Sequence, residues 1–512
     1  MAEIPSLQSL RGRVQALAGV PVSVAAPPEH LLPLTQVLMR QGWWFIGLAP
    51  DQEEPGAPTR LRYLWQHDEA PWLCLDVTAD GDVPSITGDV YAADWPEREA
   101  EDLFGVRFSG HPVLGNFVLH DEVWAENLEP MREPVRPLTP EPRMDVERPS
   151  IVTAPGRFAF PIGPVFSGVE ESVELTIETV GEEVVYPHVR LFYKYRGVER
   201  MLTGRTGADA VLLAERVNGP SAFAHATALS QALESLCLRE VPARAYALRL
   251  LFAELERVRS HIRSLSHTVE STGLSLPANW LIAAEESLLQ LSGEVAGHRY
   301  LFGLNTVGGL TLDVPDEALA SMVKRVGRVL DQVDALYERL TFDNSFLDRL
   351  EEVGSIAPGR ARLVGMVGPV ARASAVDRDV RRHQPYGAYR RTVPRPVTAE
   401  EGDGYARFRV FHEEARAAFS LMEEAVAHLP AGPVRVAMEP RGGTAVGAVE
   451  APGGTLAYYV RTGGDGTIRR CHIMPPNFAN WHAVTDALRG SAFQDVPIIL
   501  ATFGFAVADA DR

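Results

Sequence analysis

The chain has 512 residues, 46% hydrophobic and 23% charged, an ordinary globular balance for several domains around a large core. Its 67 acidic residues outnumber its 49 lysines and arginines for a formal charge of −18, which argues against nucleic acid or an anionic lipid surface as a general partner. No run of about 18 apolar residues occurs and Met1–Arg11 has no apolar signal core, so neither a membrane span nor export is predicted, and three cysteines fit a reducing compartment.

Residues 1–121 alternate helical and strand patterns and predict a small α/β domain. Pro33–Arg40 is a short helical candidate, Leu61, Tyr63 and Trp65 alternate as a half-buried strand, and Trp72–Val77 is a second strand. Residues 122–150 are rich in X-Pro steps: Glu129-Pro130, Glu133-Pro134, Arg136-Pro137, Thr139-Pro140 and Glu141-Pro142. Each step disfavours helix and removes a backbone donor, so this stretch reads as an extended linker or strap.

Residues 151–512 open with strands. Val173, Leu175 and Ile177 face one way and Glu174, Thr176 and Glu178 the other, ahead of a turn at Gly181. From Ser221 to about Leu350 the period becomes helical. Leu248, Leu251, Leu255, Val258 and Ile262 form one stripe, and Met322, Val326, Val329, Val333, Leu336 and Leu340 another, the spacing of long core-facing helices in a bundle. A hairpin is expected across Gly463–Gly466, joining Leu456–Arg461 to Thr467–Ile473. The expected fold is thus an α+β multidomain chain: a small α/β domain, a linker, and a large domain with a helical bundle core and peripheral strands.

Common catalytic signatures are missing. Gly442-Gly443 and Gly453-Gly454 lack the strand, Gly-x-Gly-x-x-Gly, helix context of a dinucleotide site, and neither a P-loop nor a Gly-x-Ser-x-Gly elbow occurs. Cys74, Cys237 and Cys471 have no C-x-x-C spacing and read as small buried hydrophobes. His111, His120, His188, His472 and His482 stand singly and read as surface or hydrogen-bonded core histidines. The acids of Asp94-Trp95-Pro96-Glu97-Arg98-Glu99-Ala100-Glu101-Asp102 could form a metal site. They fit better as a capped, solvated helix that turns at Gly105 with Phe104 and Phe108 packed beneath.

The whole segment Asp94–Pro112 resembles the E-R-E-x-x-D-L-F-G-V-x-F-x-G-H-P signature of the 30-kDa subunit of respiratory complex I, where its implied role is docking. Further on, Gly163-Pro164-Val165-Phe166-Ser167-Gly168, Arg190–Glu199, Glu240–Ala245, Glu254–His261, Gly368–Ser374, Glu450-Ala451-Pro452, Asn477–Trp481 and Asp495–Ile499 follow the order of the complex I 49-kDa subunit. Both domains are likewise fused in the large subunit of formate hydrogenlyase, a group 4 [NiFe] hydrogenase. In such hydrogenases an R-V-C-G-I-C-x-x-x-H segment and a C-terminal D-P-C-x-x-C-x-x-R segment supply four thiolates. This sequence resembles both, with Asn218, Ser221, Ala506 and Asp509 at the thiolate positions and His225 retained. A redox-active nickel needs soft, strongly donating thiolates, so the resemblance implies that the nickel–iron centre is absent.

Carried over residue by residue, the resemblance places Arg196 and His261 close together, facing a [4Fe-4S] cluster held by a small partner subunit. Glu199 matches a glutamate beside the active site, where it serves equally as an ion-pair partner of Arg196. Phe166 replaces a cavity-mouth histidine and Gly219 a quinone-binding tyrosine, so the cavity residues are expected to be Phe166, Glu199, Asn218, Gly219, Ser221, His225 and Asp509. Gly453 replaces an arginine that faces the metal in hydrogenases. The implied function is that of a subunit in a membrane-associated, complex I-like (NADH-quinone oxidoreductase or energy-converting hydrogenase) assembly. It would sit peripherally on the cytoplasmic face, bind no cofactor itself, and assemble with the [4Fe-4S] subunit, other hydrophilic-arm subunits and antiporter-like membrane subunits. A purely structural docking role with a vestigial cavity, or a cavity for quinone or another acceptor, are the alternatives.

Overall fold

The computed structural model describes residues 21–125, 128–134, 139–142, 150–166 and 171–512. The readings placed on Met1–Arg11, Arg136-Pro137 and Ser167-Gly168 lie outside the described residues.

The first domain is a four-stranded sheet, β1 (Val22–Ala25), β2 (Trp44–Asp51), β3 (Thr59–His67) and β4 (Ala70–Ala79), in the order β1-β4-β3-β2. Helix α1 (Leu31–Arg40) buries Leu31, Thr35 and Leu38. It begins two residues before Pro33, which a first turn tolerates because its amide donor is not needed there. The strand β3 is not half-buried as its alternation predicts. Leu61, Tyr63 and Trp65 are enclosed on one face, and Leu64 is equally enclosed on the other. That second face, with Ala49, Trp72 and Cys74, packs on Val446, Ala448, Ala457, Tyr459 and Met474 of the large domain, so both faces leave water. The approach is close enough that a Cβ at Gly47 would lie 2.7 Å from the Met474 sulfur. Helix α2 (Asp94–Phe104) ends at Gly105 in the left-handed region, with Phe104 and Phe108 buried as expected.

The large domain opens with an antiparallel meander, β5 (Arg157–Ile162), β6 (Glu174–Val180) and β7 (Glu183–Arg190). Leu175 and Ile177 are buried, and so, against expectation, are Glu174 and Glu178. Glu178 is enclosed because it accepts from the backbone amides of Ile151 and Val152, each at 2.9 Å, while His188 lies 2.6 Å away.

The core is a set of long helices, α3 (Ala222–Ser235), α4 (Ala243–Ser271), α5 (Ser275–Ala296), α6 (Asp316–Leu340) and α7 (Gly404–Ala427). The 29-residue α4 packs on α5 and α7 and buries its whole predicted stripe. On α6 the stripe is buried except for Val329, which is half-buried against the core. A three-stranded sheet, β8 (Gly443–Ala451), β9 (Gly454–Thr462) and β10 (Ile468–Met474), covers α3, and the expected hairpin joins β9 to β10. No described helix is long and apolar enough to cross a membrane.

Candidate functional site

Two segments far apart in sequence meet at one buried point. Asn218 is extended, Gly219–Ser221 make a single tight turn, and α3 begins at Ala222. The other segment leaves Ala506 extended and forms the short helix Val507–Ala510. Between them, His225 Nε2 lies 2.7 Å from Asp509 Oδ1, and His225 Nδ1 lies 2.7 Å from the Tyr458 hydroxyl. Asn477 donates through Nδ2 to Asp509 Oδ2 at 2.7 Å, so both carboxylate oxygens are committed. With Asp509 as acceptor, Nε2 carries the imidazole proton and Nδ1 faces the phenol. Asn218 donates through its amide to Ser221 Oγ at 2.8 Å. His225 and Asp509 have no exposed surface, so these bonds form away from water, where an unpaired polar atom costs most.

Two further groups fix the geometry. Arg196 is exposed, yet its guanidinium donates to the carbonyls of Arg216 (3.1 Å), Val217 (2.9 Å) and Ala508 (2.6 Å), tying the two segments together. Glu256 accepts from the first amides of α3, Phe223 N at 2.8 Å and Ala224 N at 3.0 Å, a favourable position for an acid at a helix start. Burial still outweighs these bonds and pushes its carboxyl up to about 7.

A nickel–iron centre does not fit this donor set. Asn218 and Ser221 are bonded to each other, Ala506 offers a methyl, and Asp509 is engaged on both oxygens. None is a soft donor. The nearby Cys471 is enclosed in β10, where burial pushes its thiol up and away from the thiolate form.

Glu199 belongs to a separate cluster and does not pair with Arg196. It accepts from Arg470 (2.8 Å), Arg512 (3.0 Å) and the amide of Ile473 (2.9 Å), and His472 Nδ1 lies 3.1 Å away. Burial alone would push its carboxyl up; His472, Arg470 and Arg512 outweigh it and hold it well below the usual carboxylate range. Arg512 also forks onto both oxygens of Glu99 at 2.6 Å. Glu99, Glu199 and His472 present ligand atoms within 4.8 Å of one another, the spacing of a metal site. Two guanidiniums already satisfy those carboxylates, so the cluster carries its own cations.

His261, expected to face a partner's cluster together with Arg196, makes its hydrogen bond inside the large domain. His261 has no exposed surface; it points from α4 into α7, where its Nε2 lies 3.3 Å from Glu414, and burial pushes its imidazole below the usual value. It belongs to a buried ion network rather than to the exposed face that holds Arg196. Arg372 donates to Glu414 at 2.6 and 3.0 Å and to Glu450 at 2.7 Å. Arg381 bridges Asp379 (2.6 Å) and Glu254 (3.1 Å), and Arg257 donates to Glu254 at 3.0 Å. Of the remaining expected cavity residues, Phe166 packs against the main core, close to where a Cβ of Gly163 would stand. Gly219 faces the Tyr300 ring, over which Arg259 is stacked at 4.9 Å.

The segment 94–112 proves to be an internal brace. Asp94, Glu97 and Glu99 are buried rather than solvated. Glu97 accepts from Ser85, from Ile86 N at 2.9 Å and from Thr87 at 2.9 Å, and burial pushes it up to about 7. Asp102 accepts from three successive amides, Phe117, Val118 and Leu119, and burial lifts it to about 6. His111 and His482, which stand singly in sequence, converge on Asp94 at 3.3 and 3.2 Å. Neither spacing nor composition signals that meeting.

The family model of the respiratory-chain NADH dehydrogenase 30 Kd subunit matches residues 25–140, and that of the 49 Kd subunit matches residues 272–441 and 435–512. The chain is similar to formate hydrogenlyase subunit 5 of Escherichia coli (strain K12), 28% identical over 92% of this chain and 85% of that protein. It is similar to one of the NADH-quinone oxidoreductase subunits of Streptomyces griseus, 33% identical over 69% of this chain and 91% of the relative. Membrane-bound hydrogenase subunit alpha of Pyrococcus furiosus is 30% identical over 69% of this chain and 87% of its own length.

Proposed function

The chain belongs to the family of the complex I 49-kDa subunit and its hydrogenase relatives, with a domain of the 30-kDa type fused ahead, and from that premise we propose that it works without a nickel–iron centre of its own. It is a subunit of a complex I-like assembly. The finer reading is that it docks a small subunit carrying a [4Fe-4S] cluster, sits peripherally on the cytoplasmic face beside antiporter-like membrane subunits, and helps couple electron transfer to ion movement. The observation that supports this best is the closure of the thiolate positions by Asn218–Ser221 and by Asp509–His225–Asn477, which keeps the scaffold and replaces the chemistry.

Arg196 is the residue that faces outward at this point, and its charge favours the reduced, more negative state of a nearby cluster. Affinity purification of the tagged chain from its host membranes tests the reading. Co-purification of a four-cysteine iron–sulfur subunit with membrane subunits is expected, and Arg196→Met should lower the cluster's midpoint potential. A monodisperse chain with no iron–sulfur partner would overturn the proposal. An intact complex with an unchanged potential would remove the role of Arg196 and leave a docking function alone.

A further inference from the structure

The contact between the two domains leaves a partly open cavity of about 50 Å³, walled on one side by Phe45, Trp95 and Glu99 and on the other by His472, Phe478 and His482. At about 10–15 Å³ per water on this measure, that is room for about three to five waters. Two imidazoles share the wall. His472 has Nδ1 committed to Glu199 at 3.1 Å, so Nε2 is the nitrogen it can offer to the cavity. His482 is 7% exposed, and its Nε2 stands 3.2 Å from Asp94 Oδ2 without the alignment of a hydrogen bond. Asp94 Oδ1 is likewise without a hydrogen-bond partner among the described residues, 3.3 Å from His111 Nε2. The lining is mostly apolar, with Glu99, His472, His482 and Arg512 as its ionisable side chains, and the unsatisfied His482 Nε2 is a buried polar atom that a water in the cavity would pair.

The walls also decide what the waters can do. Trp95, Phe45 and Phe478 keep the space narrow, and Tyr91 stacks on His482 at 4.6 Å and fixes its ring. The fixed charges nearby largely cancel: Glu99 and Glu199 against Arg512 and Arg470 on the inner side, Asp94 beside Arg98 on the outer. Two titratable rings facing one cavity, one tied to a buried carboxylate and the other to a carboxylate whose side chain is 12% exposed, are the two ends of a path.

We propose that this interdomain cavity holds a short file of waters that passes protons between His472 and His482, joining the Glu199 cluster of the large domain to Asp94 of the small one, the less enclosed of the two carboxylates. In one transfer, a proton leaves His472 Nε2 for a water oxygen while the last water of the file gives a proton to His482 Nε2. The N–H bond broken at one ring is replaced by one formed at the other, and the number of waters is unchanged. Asp94 Oδ2, beside that nitrogen, takes the proton on to solvent. The proposal goes beyond the docking role and holds whatever the partners carry.

Two measurements on the intact purified assembly test it. A structure at a resolution that shows water should contain ordered waters linking His472 Nε2 to His482 Nε2; a dry or collapsed cavity overturns the proposal, and this arm needs no variant. Histidine C2–H deuterium exchange read by mass spectrometry gives the ionisation of each ring. In His472→Gln the midpoint of His482 should move by about half a pH unit or more, as coupled sites do, while His428→Gln, on the far end of α7, leaves it in place. An unmoved His482 in a folded His472→Gln assembly would show that the two rings share no water.

Discussion

The Asp509–His225 site and the ion network behind it are both buried, both polar and both built from the chain's most recognisable motifs, yet they are held by different physics. At the site, segments 216–225 and 504–512 are joined by short hydrogen bonds among Asn218, Ser221, His225, Tyr458, Asn477 and Asp509. In the network, Arg257, Arg372 and Arg381 interleave with Glu254, Asp379, Glu414 and Glu450, and charge must balance. A paired buried charge cannot be changed singly without stranding its partner. Metal ligands can be replaced together by small polar residues that bond to one another. On the proposed reading, that difference is how a scaffold can persist where nickel–iron chemistry does not.

Arg372→Met is the severest way to break that contrast. It strands Glu414 and Glu450 in the core and should cost about 3–5 kcal/mol in urea unfolding or prevent assembly altogether. A loss under about 1 kcal/mol would mean the network is not what holds α4 to α7.

Acid titration sharpens the same contrast. At Glu97, held by an amide and hydroxyls, burial wins and the carboxyl rises to about 7, and at Glu256 burial wins against Arg259 and two amides to the same value. At Glu414, Arg372 and His261 outweigh burial and hold the carboxyl down to about 2. Glu97 binds its proton more tightly in the folded chain, so its contribution is complete below its unfolded value of about 4.5 and is lost as pH rises towards 7, at most about 3 kcal/mol. Glu414 contributes above about 4.5 and loses that contribution as pH falls towards 2. Glu97→Gln should flatten the neutral limb of a melting-temperature profile and Glu414→Gln the acidic limb. A profile unchanged by Glu97→Gln would remove the buried-carboxyl account.

Within the site the effects are smaller. Asp509→Ala leaves His225 Nε2 and Asn477 Nδ2 unpaired and should cost about 1–3 kcal/mol by chemical unfolding, with α3 still intact by hydrogen exchange. Arg196→Met removes three charge-assisted bonds to carbonyls from an exposed position and should cost about 1 kcal/mol. If Arg196→Met destabilises more than Asp509→Ala, the guanidinium staple rather than the buried dyad closes the site.

Local periodicity makes much of the fold legible: the stripes of α4 and α6, the β9–β10 hairpin and the turn at Gly105 depend on neighbours within a few residues. What fails to show depends on distant partners. The second face of β3 is dry because a sheet some 400 residues away covers it, and Glu99 is buried because Arg512, 413 residues on, meets it. The motif around Glu254–His261 is recognisable, but a motif does not say which side of its helix looks inward, so His261 is expected at a surface and lies in the core. The convergence of His111 and His482 on Asp94 joins two domains and leaves no trace in either local pattern.

Asn218, Ser221, Ala506 and Asp509 are proposed to close the site without a nickel–iron centre. Elemental analysis of the intact complex, together with an assay for hydrogen-dependent dye reduction, tests it most directly. No stoichiometric nickel and no hydrogen turnover are expected. Stoichiometric nickel with hydrogen-dependent reduction would contradict the account and place the metal on residues other than these.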